Sequence, residues 1–245
     1  MTAEVAVLNR NAVALAADSA VTLRLPEGTK IYRTNKLFAL SKYQPVAIML
    51  YGSADFLDVP WETIIKTYRT RLGQRTFPTV ADYGDDLLNF VGANSSFFPA
   101  SRQDYFCYRW TRAWLRRLKK RLKSVLEDKL RGGGTLSVSQ VKAVFRRVFD
   151  AEESHLARHG DLPNFRRSDV SSLRRKYRDT IARAVTDELQ KLAQVVPKGR
   201  LLVTAVKAIT ADAYWHDESG IVVAGFGSQQ FFPSLRSYTV DLGRL

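Results

Sequence analysis

The apolar residues of this chain change their spacing twice, and this change constrains the fold more than any other feature. Residues 2–51 hold short apolar runs typical of β-strands, residues 56–197 repeat at helical spacing, and residues 220–241 return to strand patterns. Strands on both sides of a run of helices predict an α+β protein. We expect a single domain over residues 1–245, with the helical block inserted between the two strand segments.

The first strand segment predicts a hairpin followed by a second pair of strands. The apolar runs at residues 5–8 and 13–17 are joined by a polar turn, which predicts a hairpin buried on both faces. Residues 30–40 and 45–51 predict the second pair, with a short polar stretch between them.

The helical block divides into several segments of amphipathic periodicity. Helices are predicted over residues 61–72 and 80–91, and a long basic helix follows that includes residues 109–131. Two further helices are predicted over residues 138–158 and 169–194.

The cysteine and histidine content excludes several kinds of site. The single cysteine, Cys107, excludes an internal disulfide and a multi-cysteine zinc site, and it fits a reducing cytoplasm. His155 and His159 have the i,i+4 spacing of helical metal ligands, but the glutamate that follows the first histidine in metalloproteases is absent. We therefore expect no metal ion.

Membrane spans and nucleotide sites are also excluded by the sequence. No run of 18 apolar residues occurs, and no basic region precedes an apolar run at the N-terminus, so we expect neither a membrane-spanning helix nor a secretory signal. The GxxxxGK[ST] pattern of ATP-binding loops is absent, so any use of ATP belongs to another chain. A cytoplasmic protein without a cofactor is expected.

The positive charge of the chain is concentrated in the long basic helix. The net charge is +14, and residues 109–131 contain ten Lys or Arg against two acids, with aromatic residues in or just before them. This pattern fits an anionic partner such as nucleic acid, an anionic membrane surface or an acidic protein surface. It equally fits a solvated helix whose apolar side packs on the body of the protein. The candidate contacts to an anion are Arg109, Arg112, Arg116, Arg117, Lys119, Lys120, Arg121 and Lys123.

The second residue, Thr2, is a candidate nucleophile. Aminopeptidases remove an initiator methionine that precedes a small residue, and removal of Met1 would expose the α-amine of Thr2. An α-amine has a pKa near ~8, so part of it is unprotonated at neutral pH and can accept the proton of the threonine hydroxyl. A threonine nucleophile activated by its own amine follows from this arrangement.

The residues after Thr2 occur in an order that resembles a known family. Asp18, Ser19 and Thr22 follow the first hairpin, Lys30 opens an apolar strand, and the next strand ends in a glycine turn at residues 52–55. This order resembles the proteasome β-subunit family, including the bacterial peptidase HslV, which belongs to the N-terminal-nucleophile (Ntn) hydrolases. The separation between Thr2 and Asp18 also equals that of the family.

The resemblance implies a role for each of these residues. Thr2 would supply both the attacking hydroxyl and the amine that acts as the base. Lys30 would lie next to the hydroxyl as a cation and favour deprotonation of that hydroxyl, and Asp18 would pair with Lys30. The backbone N–H at Gly52 would donate to the oxyanion. One segment of the chain would line the substrate cleft and pair through its backbone with an extended substrate peptide. This segment is Ser19, Ala20, Val21 and Thr22.

The resemblance also implies an architecture and an assembly. It implies an αββα sandwich of two antiparallel sheets between helices, here with an enlarged helical insertion and a shortened C-terminal part. The implied activity is that of a threonine-type endopeptidase acting on polypeptides within a homo-oligomeric ring, served by a separate ATPase unfoldase. The alternative is a catalytically degenerate scaffold that binds nucleic acid or another anionic partner through residues 109–131.

Overall fold

The chain is an α+β protein with antiparallel sheets, and it forms two compact units. The first unit comprises Met1–Pro99 and His216–Leu245, and the second comprises Ala100–Trp215. The computed structural model describes residues 3–25, 28–131, 135–161, 166–194, 198–211 and 219–240.

The first unit begins with the predicted hairpin, which has one exposed face. Strand β1 (Glu4–Leu8) pairs antiparallel with β2 (Val13–Ala17), and the side-chain oxygen of Asn9 accepts hydrogen bonds from two backbone N–H groups of the turn. The expectation that both faces are buried is wrong. Val5 and Val7 are 57% and 61% exposed, because side chains alternate across a strand and only the opposite face is half-buried.

The next four strands form two separate pairs. Strand β3 (Ala20–Leu25) pairs with β4 (Gly28–Arg33), and β5 (Leu37–Ala39) pairs with β6 (Val46–Gly52), both antiparallel. The predicted strand over residues 30–40 is therefore divided, and only its second part pairs with the strand at residues 45–51. Two short strands, β7 (Asp55–Phe56) and β8 (Val59–Pro60), follow.

A four-stranded antiparallel sheet organises the first unit. Strands β9 (Ser219–Gly225) and β10 (Ser234–Val240) join it from the end of the chain, in the order β10-β9-β6-β5. Strand β9 is central and buried throughout, as its apolar sequence requires.

Helices and the first hairpin contact different strands of this sheet. Helix α1 (Trp61–Leu72) and helix α2 (Val80–Ala93) share its apolar core, with α2 against β9 and β10, while β2 lies next to β5 and β6. The largest fully buried side chains of this core include Trp61, Tyr68, Tyr83, Leu40 and Ile48.

The second unit is helical and has its own apolar core. It contains a long helix and four others: α3 (Ala100–Leu130), α4 (Val138–His159), α5 (Arg167–Lys176), α6 (Arg178–Leu189) and α7 (Lys198–Thr210), with a short 3₁₀ helix at Gln190–Gln194. The prediction of a helix over residues 138–158 is confirmed.

The helices of the predicted helical block differ from the structure in two respects. The single helix predicted over residues 169–194 is interrupted at Tyr177, whose backbone has φ −107° and ψ 17°. The block itself was predicted over residues 56–197, but its first two helices belong to the first unit, and the helical unit begins at Ala100. Local periodicity identifies helices and does not specify the core to which each one belongs.

Candidate active site

The ladder of the first hairpin brings the beginning of the chain next to Asp18. The backbone N–H of Asp18 donates to the carbonyl oxygen of Ala3 at 3.0 Å, which extends the pairing of Glu4 with Ala17 by one residue. Thr2, the predicted nucleophile, lies outside the described residues. Its covalent neighbour Ala3 is held beside Asp18 by this bond.

A lysine that was not predicted forms the ion pair with Asp18. Lys36 lies just before β5, is only 7% exposed, and donates its ammonium to the carboxylate of Asp18. The same ammonium donates to the carbonyl oxygen of Ala20 at 3.1 Å. A buried ammonium needs such partners, because an uncompensated charge away from water costs several kcal/mol.

The cation that the structure places against Asp18 is Lys36, whereas the resemblance implied Lys30. Lys30 lies in β4 opposite Leu23. Its side chain lies outside the part of the chain that the structure describes, so a contact of Lys30 with Asp18 stays a prediction.

The sequence pattern does not single out Lys36. Lys30 and Lys36 both precede an apolar residue, so the pattern alone does not separate them. The strand that Lys36 precedes is the one that pairs with β6, and the backbone N–H of Leu50 in β6 donates to the carbonyl oxygen of Lys36 at 2.8 Å. This pairing holds Lys36 beside β6, and only the tertiary structure shows its contact with Asp18.

A cleft brings Lys36 together with the predicted oxyanion residue. Gly52 ends β6 with a φ of +76°, a conformation that glycine adopts without the steric cost of other residues. Both residues line the cleft, whose full lining is Thr34, Asn35, Lys36, Leu50, Tyr51, Gly52, Ser53, Ala54, Pro60 and Glu62. A buried cation, Lys36, therefore lines the same cleft as the Gly52 turn.

A buried serine connects the wall of this cleft to the core. Ser219 in β9 pairs with Gly52 in β6, accepts a hydrogen bond from the indole N–H of Trp61 at 2.8 Å and donates to the carbonyl oxygen of Ser53 at 3.3 Å. These bonds tie the turn that follows β6 to the first helix. Sequence reasoning did not single out Ser219, because its partners lie more than 150 residues away.

The predicted substrate-binding segment is at the open end of β3. Ser19 and Ala20 are exposed, and the carbonyl oxygen of Ser19 accepts from the N–H of Thr34 at 2.9 Å. The side chains of Val21 and Thr22 lie outside the described residues. Strand β3 has β4 as its described partner on one edge, and backbone pairing of a peptide with the other edge stays a prediction.

A second carboxylate lies close to the ion pair. Glu4 is on the half-buried face of β1, and its Oε1 atom is buried without a hydrogen-bond partner among the described residues. Burial raises the pKa of the Glu4 carboxyl above its usual range, the charge of Lys36 opposes this shift, and the charge of Asp18 adds to it. Glu4 is a residue that sequence reasoning missed, since an acid in a strand has no recognisable pattern.

Cys107, His155 and His159 belong to the second unit, whereas the residues that line the cleft belong to the first. Burial raises the pKa of the Cys107 thiol to about 12, so the thiolate is scarce at neutral pH. The rings of His155 and His159 lie with their centroids 4.5 Å apart. Among the described residues, no group of three or more His, Cys, Asp and Glu side chains is placed to hold a metal ion.

Half of the predicted anion-binding cations of α3 are engaged inside the helical unit. Arg112 and Arg116 form ion pairs with Glu188 of α6, at 3.0 and 3.2 Å, and Lys119 donates to the backbone oxygen of Glu188. Arg121 pairs at 2.5 Å with Glu152 of α4.

The other cations of α3 have local partners or face solvent. Lys123 lies 3.5 Å from Glu127, one turn further along α3, and the guanidinium of Arg109 lies over the ring of Tyr105. Arg117 and Lys120 are exposed. The indole N–H groups of Trp110 and Trp114 donate within the unit. Trp114 is buried, so its ring is not accessible for base stacking.

No protein-family model, curated protein or solved structure matches the chain. Within the described residues, none of the helices combines the length and the apolar character needed to cross a membrane.

Proposed function

We propose that the chain is an Ntn-type amide hydrolase with Thr2 as the nucleophile and Lys36 as the neighbouring cation. The observation that carries the proposal is the buried ion pair of Lys36 with Asp18, beside the N-terminal strand and on the wall of the cleft that contains Gly52. Burial of a lysine next to a candidate nucleophile is costly for stability and is a feature of functional sites.

The architecture is compatible with this proposal. The first hairpin lies next to the four-stranded sheet, and α2 contacts β9 and β10. A hairpin, a sheet and helices correspond to three of the four layers of the proposed αββα sandwich. The helical unit over Ala100–Trp215 would be the enlarged insertion.

The reaction would follow from the groups at the site. The hydroxyl oxygen of Thr2 attacks the carbonyl carbon of the substrate amide, and its proton passes to the Thr2 amine. An N–H at the Gly52 turn donates to the oxyanion, a contribution of roughly 3–4 kcal/mol in comparable sites. The C–N bond breaks as the amine returns the proton to the leaving nitrogen, and water then hydrolyses the ester formed on Thr2.

The positive charge of Lys36 would assist this reaction in two ways. It stabilises negative charge that develops on the threonine oxygen, and it lowers the proton affinity of the nearby amine. Asp18 holds the ammonium in place. The substrate would be an unfolded polypeptide admitted to a closed homo-oligomer, with a separate ATPase unfoldase as partner.

Intact mass measurement with a peptide epoxyketone tests the proposal, since this reagent forms a stable ring only with a hydroxyl and a free amine on one residue. Loss of Met1 and an adduct on Thr2 are expected. The adduct and peptide cleavage should be lost in Thr2→Ala and in Lys36→Ala, whereas the matched variant Lys30→Ala should retain both. Cleavage that survives Thr2→Ala would overturn the mechanism.

A second candidate function rests on the distribution of charge between the two units. The first unit holds 12 basic residues (Lys and Arg) and 12 acidic residues (Asp and Glu), so its net charge is zero. The second unit holds 26 basic and 12 acidic residues and therefore carries the whole net charge of +14. Such a segregated charge favours an anionic partner for the helical unit. Binding that is unchanged by Thr2→Ala and weakened by salt would favour this scaffold function.

A further inference from the structure

A compact cluster of cations lies where α5 passes into α6. Arg174, Arg175 and Lys176 end α5, and Arg178 begins α6 after the single residue Tyr177. All four cations are exposed, whereas Tyr177 is buried. Four positive charges therefore occupy five consecutive positions on the surface of the helical unit.

This cluster differs from α3 because its arginines lack acidic partners. The cations of α3 draw on Glu152 and Glu188, as described above. Arg174, Arg175 and Arg178 form no ion pair with the residues that the structure describes, although their helical unit contains other paired arginines such as Arg183 and Arg200. The ion pairs described in this unit therefore involve other cations, and the acids that form them include Glu152, Glu188 and Asp104.

The backbone that carries the cluster is anchored to the first turn of α3. The hydroxyl of Tyr177 and the ammonium of Lys176 both donate to the side-chain oxygen of Gln103 at 2.9 Å. The same ammonium lies 5.0 Å from the centre of the Tyr177 ring. The cluster is consequently presented by a fixed junction between two helices.

The helix dipoles of α5 and α6 stabilise only some of these positive charges. The dipole of α5 favours cations in its last turn, and this applies to Arg174, Arg175 and Lys176. Arg178 stands at the first residue of α6, where the dipole disfavours a cation. Mutual repulsion within the cluster adds to this cost.

The surroundings of the cluster distinguish among anionic partners. Helices α5 and α6 expose no large apolar side chain among the described residues, so they lack the anchor with which a peripheral helix enters a membrane. They also expose no aromatic ring on which a single-stranded base would stack. Arginine forks bind phosphate in a bidentate manner, and duplex DNA offers one charge per about 1.7 Å of axis.

We propose that Arg174, Arg175 and Arg178 form a contact surface for the phosphate backbone of a nucleic acid duplex. The contact is independent of sequence, because it involves no base edge. It places the anion-binding surface at the α5–α6 junction instead of on α3, where several predicted cations are already neutralised. This surface is independent of Thr2 and of the proposed hydrolase.

The experiment compares two triple variants of the full chain that remove the same charge. Arg174→Gln/Arg175→Gln/Arg178→Gln removes the cluster, and Lys142→Gln/Arg146→Gln/Arg147→Gln removes three exposed cations of α4. Binding of a fluorescent 20-base-pair DNA duplex is followed by anisotropy over a range of salt concentrations. Circular dichroism compares the melting of both variants with that of the wild type. If the cluster variant melts earlier, the single variant Arg175→Gln replaces it.

We expect the wild type to bind with an affinity that falls steeply with salt. Loss of three phosphate contacts should reduce the slope of log K against log salt by about 3 and weaken binding at ~0.1 M salt at least ~10-fold. For Arg175→Gln alone, the slope should fall by about 1. The α4 variant should keep most of the wild-type slope. Equal losses in both triple variants, or unchanged binding by the cluster variant or its single-variant replacement, would overturn the proposal. The proposal would also be overturned if the wild-type protein bound anionic vesicles or polyglutamate but did not bind the DNA duplex.

Discussion

The ammonium of Lys36 is buried against the carboxylate of Asp18, eighteen residues earlier in the chain, and also bonds the carbonyl oxygen of Ala20. This contact joins the end of the first hairpin to the strand that follows β4. It joins two segments that do not pair with each other in a sheet, and both the stability of the first unit and its proposed chemistry depend on it.

Removal of the carboxylate should destabilise the first unit. Breaking a fully buried pair costs roughly 3–5 kcal/mol, and because the Asp18 side chain is 32% exposed we expect about 2–3 kcal/mol for Asp18→Asn. Urea denaturation with hydrogen exchange of the β6 amides measures the loss. The double variant Asp18→Asn/Lys36→Met should recover part of it, since no unpaired ammonium remains. Simple addition of the two single losses would contradict the coupling.

Glu4 should make stability depend on pH. Its pKa is raised in the folded state, so its contribution is favourable below the unfolded pKa of about 4.3 and is lost as the pH rises through the folded pKa. Ionised Glu4 is therefore unfavourable at neutral pH. We expect Glu4→Gln to be more stabilising, relative to the wild type, at pH 7.5 than at pH 4.5. Urea denaturation at both values measures this, and a difference that is the same or larger at pH 4.5 would contradict it.

The bond between Trp61 and Ser219 should be important for the cleft wall. Ser219→Ala leaves the buried indole N–H of Trp61 without its acceptor, which should cost about 1–3 kcal/mol. Thermal unfolding followed by tryptophan fluorescence measures the loss. The control Ser237→Ala removes an exposed hydroxyl whose described contact, with Tyr51, is 3.5 Å long, and it should change stability by less than about 0.5 kcal/mol. Equal effects of the two variants would show that the Trp61 bond is unimportant.

Glu152 should be essential for the helical unit. Its side chain is 2% exposed and accepts bonds from Arg121 and from the indole of Trp114. Glu152→Ala leaves the buried indole N–H of Trp114 without its acceptor, whereas the guanidinium of Arg121, whose side chain is 52% exposed, is hydrated by solvent. We therefore expect a loss of about 1–3 kcal/mol in denaturation followed at 222 nm. Glu127→Ala removes an exposed acid that pairs along the same helix, and it should cost less than about 0.5 kcal/mol.

Local features were predictable because neighbours in the sequence produce them. The apolar runs at residues 5–8 and 13–17, with a polar Asn turn between them, identify the first hairpin. The apolar repeat over residues 138–158 identifies α4, and a glycine after an apolar strand marks the turn at Gly52. The order of Thr2, Asp18 and Gly52 suggested a site at this end of the sheet.

Features that depend on distant partners were not predictable. Two lysines precede apolar residues, Lys30 and Lys36, and only the tertiary structure shows that Lys36 pairs with Asp18. The helix predicted over residues 169–194 contains no Pro or Gly, yet it is interrupted at Tyr177, whose side chain bonds Gln103 from a distant helix.

The sequence by itself determined the α+β class, the first hairpin, most helices and the concentration of charge in the helical unit, because these follow from residue spacing and composition. Only the tertiary structure decided that Lys36 meets Asp18, which face of the hairpin is exposed and which arginines form no ion pair with the described residues. Each of these depends on contacts between residues far apart in the chain, and a periodic pattern carries no information about such contacts.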